Sequence, residues 1–427
     1  MKKLVLIVVD GMTPATFERA VESGRAPALA QLAARGRYSR ATSVFPSLTP
    51  VCLSSIATGA TPDVHHIPHL VWWHRDEHRM VEYGSSFAAL RAAGMAQSIT
   101  DTIFNMNQQH LSRDATTVYE DLEATGLTTA AVNITCYRGR TKHVPTLPWV
   151  MKPAYGPKRF FYYSLFESDE TGAPLAVRNR AAGSIHAYAA AVGRWLVTRD
   201  GFDFLAYYLS DFDYASHAYG PTGAEDVALA RVDSSIRALL DAAGGVDEFL
   251  DRYAVVLLSD HGQTHVRRVA QLEESLTRFS DSVAVTASNR AAQVYLLPSA
   301  RTDAAELARA LDGAPSVELT FRLEDGVPIA RRDGADAKLD ELEHSDAVHR
   351  ITAALANPNA GELLVSATEG WEFADLGGRH HAGGGSHGSL VEGDSIVPVL
   401  TIGVDAEIAR ITDVKGAAVA HFGAVRA

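Results

Sequence analysis

Apolar runs of strand length alternate along the chain with segments of helical periodicity. The run Lys3–Val9 is apolar almost throughout, which is typical of a strand buried on both faces of a sheet. Further strands are predicted at Thr128–Ile134, Phe204–Ser210, Ala254–Ser259, Ala292–Leu297, Val317–Arg322, Glu362–Ala367 and Ile396–Ile402. Helices are predicted from Pro27 to Gly36 and over Pro50–Thr58, Ala224–Ala243, Asp303–Leu311 and Asp340–Ala356. Because strands alternate with helices, we expect an α/β fold whose mainly parallel central sheet is sandwiched by helices.

Two regions interrupt this alternation. Residues 137–171 are rich in proline, basic and aromatic residues, and they indicate a long loop or an insertion near a site. Residues 283–375 are expected to form a small inserted subdomain on the main sheet. We therefore interpret residues 1–427 as a single α/β domain with these two additions.

Composition narrows the class of protein. The 51 acidic and 39 basic side chains give a net charge of −12, which argues against binding of nucleic-acid duplexes. No apolar run approaches the ~20 residues that a membrane span needs, so we expect no membrane association. The opening apolar run is shorter than the ~7–15 residues usual in a signal peptide, and we expect a cytoplasmic protein. No sequence feature bears on the oligomeric state.

Polar side chains follow three of the predicted strands. Asp10, Asp213 and Asp260 each come after an apolar run, and ligands of open α/β sheets bind beyond the carboxyl ends of strands. One such aspartate is more often a turn residue, but three of them favour a site. With the histidines nearby, the candidate metal ligands are Asp10, Asp213, His217, Asp260, His261 and His387. Mixed carboxylate and imidazole ligands suit Zn²⁺ or a similar divalent ion.

Thr49 lies where a helix is predicted to begin. The helix dipole and free backbone N–H groups at such a point favour an anion such as phosphate. A hydroxyl at this position acts as a nucleophile if a metal ion lowers its pKa. From position and propensity alone, a simple helix N-cap ahead of Pro50 is the favoured interpretation of Thr49.

Five short motifs, taken together, resemble those of the alkaline phosphatase superfamily. They are Asp10-Gly11, Phe45–Gly59, Asp213-x-x-x-His217, Ser259–Gly262 and Gly385–Gly388, in this order along the chain. Within the superfamily the chain resembles the type I phosphodiesterase/nucleotide pyrophosphatase family. Phe45–Gly59 followed by Pro62–His65 is the most specific part of this resemblance.

The resemblance implies a site with two divalent metal ions, most often zinc. Asp10, Thr49, Asp260 and His261 would surround one ion, and Asp213, His217 and His387 would hold the other. Thr49 would attack phosphorus and form a covalent phospho-enzyme, which water then hydrolyses. The implied activity is hydrolysis of phosphoric diesters or pyrophosphates, with a small-molecule phosphate ester or phosphonate as substrate.

The chain departs from this family pattern at the substrate contacts. Nucleotide-cleaving relatives carry an asparagine twenty-one residues after the nucleophile, where this chain has Leu70. Arg138, Arg140 and Lys142 follow a predicted strand and are candidate substrate contacts, with a solvated basic loop as an equal alternative. Five further histidines are candidates for substrate or third-ion contacts, against the alternative of a partly exposed loop: His65, His66, His69, His74 and His78.

Other functions remain open at this stage. A carbon–phosphorus hydrolase of the phosphonoacetate type would use the same ligands and the same threonine, and basic residues near Arg138 would suit its carboxylate. A phosphomonoesterase on the same site is a second alternative. A non-catalytic metal-binding protein is a third, although all the presumed ligands and Thr49 are present.

Overall fold

An eight-stranded sheet forms the centre of the protein. The computed structural model describes residues 2–149, 151–169 and 184–423. The strand order across the sheet is Arg37–Thr42, Ile396–Ile402, Tyr253–Leu258, Lys3–Val9, Phe204–Leu209, Thr129–Val132, Arg159–Tyr162 and Phe166–Ser168. The neighbours from Tyr253–Leu258 to Arg159–Tyr162 pair in parallel, whereas Ile396–Ile402 and Phe166–Ser168 pair antiparallel with their neighbours. The expected α/β fold with a mainly parallel sheet is confirmed.

Helices cover both faces of this central sheet. Alternate side chains of Lys3–Val9 enter different apolar clusters: Leu6 packs with helix Thr49–Thr58, and Ile7 packs with helix Leu229–Ala243. Two-sided burial explains why this strand is apolar at nearly every position. The other α-helices are Pro14–Glu22, Pro27–Ala33, Pro62–His65, Phe87–Ala93, Met95–Thr100, Val118–Ala124, Ile185–Thr198, Asp211–Val227, Val246–Arg252, Leu272–Ser275, Ala304–Ala310, Ala347–Leu355, Glu392–Ser395 and Asp413–His421.

Three helical segments of other types and four two-stranded ladders complete the described part of the chain. Asp101–His110 is a π-helix, and Thr277–Phe279 and Leu339–Glu341 are 3₁₀-helices. The ladders are Val71–His74 with Arg79–Glu82, Thr141–His143 with Ala154–Gly156, Thr264–His265 with Gly385–Ser386, and Arg268–Ala270 with Trp371–Phe373. Among the helices described, none combines the length and apolarity that a membrane span requires.

A second sheet of six antiparallel strands packs beside the first. Its order is Val283–Ser288, Ala291–Leu296, Leu363–Ala367, Val317–Glu324, Val327–Arg332 and Ala335–Ala337. Two apolar clusters of its own lie on this sheet. Its strands fall inside the region 283–375, for which a subdomain is expected, and the subdomain boundaries stay a prediction.

The segment 137–171 contains more regular structure than the sequence indicates. Arg159–Tyr162 and Phe166–Ser168 are strands of the central sheet, so the predicted loop is wrong there. These strands are only four and three residues long, too short to give an apolar pattern that stands out. Residues 150, 170 and 171 lie outside the described part, and the status of the segment as an insertion stays a prediction.

Other elements also differ from expectation, and the predicted helix Ala224–Ala243 is divided at Ala228 between Asp211–Val227 and Leu229–Ala243. Arg37–Thr42 was not predicted because it is a polar, partly exposed edge strand. The predicted helix Asp340–Ala356 is wrong at its start, where Asp346 adopts a left-handed conformation with φ of 52° and the α-helix begins only after it. A single left-handed residue stops a helix without leaving a proline or glycine signal in the sequence.

Candidate active site

The three aspartates at strand ends meet at one edge of the central sheet. Asp10 follows Lys3–Val9, Asp260 follows Tyr253–Leu258, and Asp213 lies in the first turn of the helix that follows Phe204–Leu209. These strands are parallel neighbours, with Lys3–Val9 in the middle. Parallel neighbours end at the same edge, which brings the three carboxylates together.

Asp10, Asp260 and His261 form a first group of potential metal ligands. One ligand atom from each lies within 4.8 Å of the others. Nε2 of His261 is 3.2 Å from Oδ1 of Asp10 and 3.5 Å from Oδ2 of Asp260. Both of these carboxylate oxygens are buried and lack a hydrogen-bond partner among the described residues. Buried oxygens of this kind need a cation or a donor, and a divalent ion satisfies both at once.

A second group lies directly beside the first. Asp213, His261 and His387 again offer ligand atoms within 4.8 Å of one another, so His261 belongs to both groups. The rings of His261 and His387 stack with their centroids 3.6 Å apart. His217 lies one helical turn after Asp213, with its Nε2 3.3 Å from Oδ2 of that carboxylate.

The three histidines are oriented by the backbone in the same way. Nδ1 of His217 donates to the carbonyl of Gly385 at 2.9 Å, and Nδ1 of His387 donates to the carbonyl of Ser47 at 2.7 Å. Nδ1 of His261 lies 3.0 Å from its neighbouring carbonyl at residue 262. Because a carbonyl only accepts, Nδ1 carries the hydrogen in each neutral ring, and the lone pair of Nε2 is the one that a metal ion can bind.

The three buried carboxylates of this cluster repel one another. Burial, and then the carboxylates of Asp213 and Asp260, raise the pKa of Asp10 well above its usual range. Burial also raises the pKa of Asp260 to about 7, with Asp213 adding to the shift. Burial opposes a charge on His217, but the Asp213 carboxylate outweighs it and raises the pKa of His217 to about 9. Buried carboxylates that repel one another in this way are stabilised by a bound cation.

Thr49 lies beside His261, the histidine that belongs to both ligand groups. The helix Thr49–Thr58 has Leu48 as its N-cap residue, and Leu48 shows no side-chain capping bond, so the alternative in which Thr49 is the N-cap is wrong. The carbonyl of Leu48 accepts from the N–H of Cys52 at 2.9 Å, which starts the helix one residue earlier than predicted. Oγ1 of Thr49 lies 3.1 Å from Nε2 of His261.

A pocket of about 230 Å³ opens onto these groups. Its wall includes Thr49, Asp10, Asp213, His217 and His387. Leu70, Asn289 and several tyrosines, serines and threonines also line it, and no arginine or lysine lines it among the residues that the structure describes. The wall thus combines the Thr49 hydroxyl with two carboxylates and with imidazoles, and Asp260 and His261 lie directly beside these groups, an arrangement that suits metal-assisted chemistry on a small ligand.

Comparison with known proteins decides the family. The type I phosphodiesterase / nucleotide pyrophosphatase family matches residues 4–390. This chain belongs to that family. Membership indicates a hydrolase of phosphate esters, and no curated protein matches the chain individually.

Solved structures of the same fold extend over almost the whole chain. Murine ectonucleotide pyrophosphatase/phosphodiesterase 5 is 15% identical, with coverage of 99% of this chain and 95% of that chain and a TM-score of 0.66. Phosphonoacetate hydrolase from Sinorhizobium meliloti, in complex with phosphonoformate, is 18% identical, with coverage of 98% and 96% and a TM-score of 0.65. An inactive variant of the murine protein was solved with AMP.

The predicted basic substrate contacts of this family member do not reach the pocket. The guanidinium of Arg138 is buried, where it donates to the carbonyls of Leu111 and Ser112 and pairs with Glu120. Arg140 and Lys142 are exposed, and neither is part of the pocket wall among the described residues. The geometry favours the alternative of a basic segment outside the pocket, because charge in a sequence does not tell a solvent-facing or structural arginine from one in a site; a contact with substrate stays a prediction. Leu70, in contrast, does line the pocket.

Two of the five clustered histidines have structural roles. Nε2 of His65 is 3.1 Å from Oγ of Ser55, and Nδ1 accepts from the N–H of Ile67 at 3.1 Å. His69 is buried as well, and its Nδ1 accepts from the N–H of residue 71 at 3.2 Å. None of the five lines the pocket among the described residues, which favours the interpretation as a structural and partly exposed segment.

Sequence reasoning missed several polar residues of the site. The hydroxyl of Tyr208 donates to Oδ2 of Asp10, and the amide of Gln263 donates to Oδ1 of Asp213. Nδ2 of Asn289 lies 3.0 Å from Nε2 of His387. Tyr208 is near the end of a buried strand that leads to the site and Gln263 directly follows the Asp260-His261-Gly262 motif, so position carried a signal for both. Asn289 had none.

A buried ion pair fixes the loop that carries His387. Arg290 and Asp394 are fully buried and lie 3.0 Å apart. The N–H of Arg290 donates to the carbonyl of His387 at 2.9 Å, and Asp394 accepts from the N–H of Ser389 at 3.1 Å. The second sheet, through Arg290, therefore holds one of the candidate ligands in place.

Proposed function

We propose that this chain is a two-metal hydrolase of phosphoric diesters or pyrophosphates that works through Thr49. The observation that carries the proposal is the placement of the Thr49 hydroxyl beside two adjoining ligand groups that share His261. Family membership supports the reaction class. The proposed metal ligands are the residues named by the sequence: Asp10, Thr49, Asp213, His217, Asp260, His261 and His387.

The donor set fits two divalent ions, with zinc favoured by the three imidazoles. Asp10 and Asp260 contribute buried carboxylate oxygens that have no hydrogen-bond partner among the described residues, and the histidines contribute Nε2 atoms whose lone pairs are directed into the cluster. When bound, the ions supply positive charge to the attacking and leaving oxygens and to the phosphoryl group. A cation also offsets the repulsion among the three carboxylates.

The residues of the chain have separate roles in the proposed reaction. Thr49 stands at a helix N-terminus, where the helix dipole stabilises a negative oxygen. Its Oγ1 forms the bond to phosphorus as the bond to the leaving oxygen breaks, and the hydroxyl proton ends on the leaving group, which is an alcohol from a diester or a phosphate from a pyrophosphate. Water then attacks phosphorus and the Oγ1–phosphorus bond breaks. One hydrogen of the water returns to Oγ1 of Thr49, and the remaining OH stays on the phosphate product. The hydroxyl of Tyr208 holds one oxygen of Asp10 through a hydrogen bond.

The pocket wall favours a diester over a monoester. A monoester carries a second negative charge on its terminal oxygens, and among the described residues no arginine or lysine faces the pocket to meet it. Leu70 contributes an apolar surface instead. The phosphonoacetate alternative drew its support from the basic residues near Arg138, and Arg138 is engaged elsewhere. We therefore do not propose it.

Activity and metal content test this proposal together. Protein purified without chelator should contain close to two transition-metal equivalents. It should hydrolyse bis(4-nitrophenyl) phosphate with a kcat/KM at least ~10-fold above that for 4-nitrophenyl phosphate, a difference of about 1.4 kcal/mol in transition-state binding. Chelation should abolish turnover and added zinc should restore it.

Three results would contradict parts of the proposal. Full activity in excess chelator would contradict the proposal that metal ions take part in the reaction. A clear preference for the monoester would contradict the proposal that diesters are the preferred substrates. Cleavage of phosphonoacetate alone, without turnover of either ester, moves the protein to carbon–phosphorus chemistry.

A further inference from the structure

The described wall of the pocket carries no arginine or lysine that could bind a phosphoryl oxygen by charge, and the carboxylates of Asp10 and Asp213 repel such an oxygen. Apart from its histidines, the donors that line the pocket are the hydroxyls of tyrosine, serine and threonine side chains and one amide. Among the described residues that line it, Asn289 carries the only side-chain amide. An amide offers two N–H donors without adding a charge.

Asn289 is placed rigidly by the second sheet. It lies in the tight turn between strands Val283–Ser288 and Ala291–Leu296, with a left-handed φ of 57° that asparagine tolerates well. Its carbonyl accepts from the N–H of Phe373 at 2.7 Å. The residue is 6% exposed, so its side chain has little freedom to turn toward bulk solvent.

The side-chain amide of Asn289 faces the candidate metal centre. Its Nδ2 lies 3.0 Å from Nε2 of His387. Nδ1 of His387 donates to a backbone carbonyl at 2.7 Å, so Nε2 is the acceptor in this contact. The same Nε2 atom is 3.7 Å from Oδ1 of Asp213, within the second ligand group. The side-chain amide of Asn289 therefore points toward the second group of potential metal ligands.

We propose that Asn289 is a substrate-binding residue whose side-chain amide donates a hydrogen bond to a non-bridging phosphoryl oxygen. This inference rests on the proposed function, because it needs a phosphoryl group in the pocket. When Nε2 of His387 binds a metal ion, the amide loses this acceptor. A buried N–H left unpaired is unfavourable, and an anionic oxygen in the pocket satisfies it.

In this proposal Asn289 supplies the polar contact to the phosphoryl group that Leu70 cannot make. Leu70 lines the same pocket but has no polar atom in its side chain. The amide comes instead from the hairpin between Val283–Ser288 and Ala291–Leu296, 240 residues after Thr49 in the sequence. The contact also suits a diester, since an amide stabilises one oxygen without the positive charge that a dianionic end requires.

Replacement of Asn289 by glycine tests the inference. Glycine accepts the left-handed φ without strain, so Asn289→Gly removes the amide and leaves the turn intact. The zinc-loaded variant should bind inorganic phosphate at least ~10-fold more weakly by calorimetry, as expected for a hydrogen bond to a charged group. Its zinc content should equal that of the unchanged protein. Its kcat/KM for the diester should fall by at least the same factor.

Two further variants sharpen the result. Asp325→Gly is the matched control, because Asp325 is an exposed turn residue of the same second sheet with φ of 51°; it should bind phosphate like the unchanged protein. Leu70→Asn, added to Asn289→Gly, places an amide on the same pocket wall and should recover part of the lost phosphate affinity.

Unchanged phosphate affinity in Asn289→Gly overturns the inference. Loss of zinc together with phosphate also overturns it, since Asn289 would then position His387 and not contact substrate. If the unchanged protein hydrolyses no phosphate ester but Asn289→Gly still binds phosphate more weakly at equal zinc content, the proposed function fails and the amide contact stands.

Discussion

Two helices of this protein begin with the same dipeptide and use it differently. Pro14–Glu22 follows Thr13, and Thr13 is its N-cap: Oγ1 accepts from the N–H of Thr16 at 3.1 Å. In the helix Thr49–Thr58, the threonine of the dipeptide is the first helical residue, and its hydroxyl lies beside His261. A shift of one residue in where the helix begins separates a structural hydroxyl from a candidate nucleophile.

The two helices also differ in their surroundings. Pro14–Glu22 is amphipathic and lies at the surface, and its Arg19 pairs with Glu225. In Thr49–Thr58 every residue after the first is buried, and Ser55 is held by the neutral ring of His65. Burial on all sides fixes the position of Thr49 against the sheet. The comparison teaches that the sequence Thr-Pro marks a helix start, while packing decides what the threonine does.

Removal of the Thr49 hydroxyl should have the largest effect. If Thr49 forms the phospho-enzyme, Thr49→Ala should lower kcat/KM by at least ~10³-fold, about 4 kcal/mol of barrier, and leave the fold intact. Thr49→Ser should retain more activity because a hydroxyl remains. Steady-state kinetics with a chromogenic diester, with circular dichroism as a check of folding, decide the matter. Wild-type turnover in Thr49→Ala would reduce Thr49 to a packing residue.

Acid should destabilise the surroundings of the Thr49 helix. Burial lowers the pKa of His65 to about 3, far below the 6.5 of an unfolded chain. The unfolded state then binds the proton first, so stability is full above pH 6.5 and falls as pH decreases toward 3. His65 alone should reduce the free energy of unfolding by about 2 kcal/mol at pH 5 relative to pH 8.

Urea unfolding at both pH values measures this loss. His65→Gln should unfold more easily at pH 8, because it loses the fitted ring, but it should show a smaller difference between pH 8 and pH 5. An equal or larger pH difference in His65→Gln would show that the acid sensitivity lies elsewhere.

Loss of the Thr13 cap should have the smallest effect. Thr13→Ala should lower the free energy of unfolding by about 1 kcal/mol, the usual contribution of a threonine N-cap. Turnover should stay within twofold of wild type, since the change touches a cap and not the pocket wall. Thermal unfolding measures the loss of stability, and the diester assay measures turnover. A large loss of turnover would mean that Thr13, like Thr49, contributes to activity.

The parts of the site that the sequence predicts share one physical cause. Asp10 and Asp260 follow fully buried parallel strands, and such strands are readable as apolar runs whose ends meet at one edge. Asp213 and His217 add helical spacing, which is also local in the sequence.

The parts that the sequence does not predict depend on contacts between distant segments. Asn289 reaches His387 only because a hairpin of the second sheet packs against a glycine-rich loop. Arg138 looks like a substrate contact until its burial against Glu120 is known. The one-residue difference in the start of the Thr49 helix depends on which carbonyl accepts the first hydrogen bond, and propensity does not resolve that.

The Arg290–Asp394 pair has a consequence for the order of assembly. Asp10, Asp213 and Asp260 lie at the ends of central-sheet strands, but His387 is held by a residue of the second sheet. A chain in which only the central sheet has folded would offer an incomplete coordination shell. We therefore expect tight metal uptake to be a late event in refolding, one that reports the docking of the second sheet and not the collapse of the first.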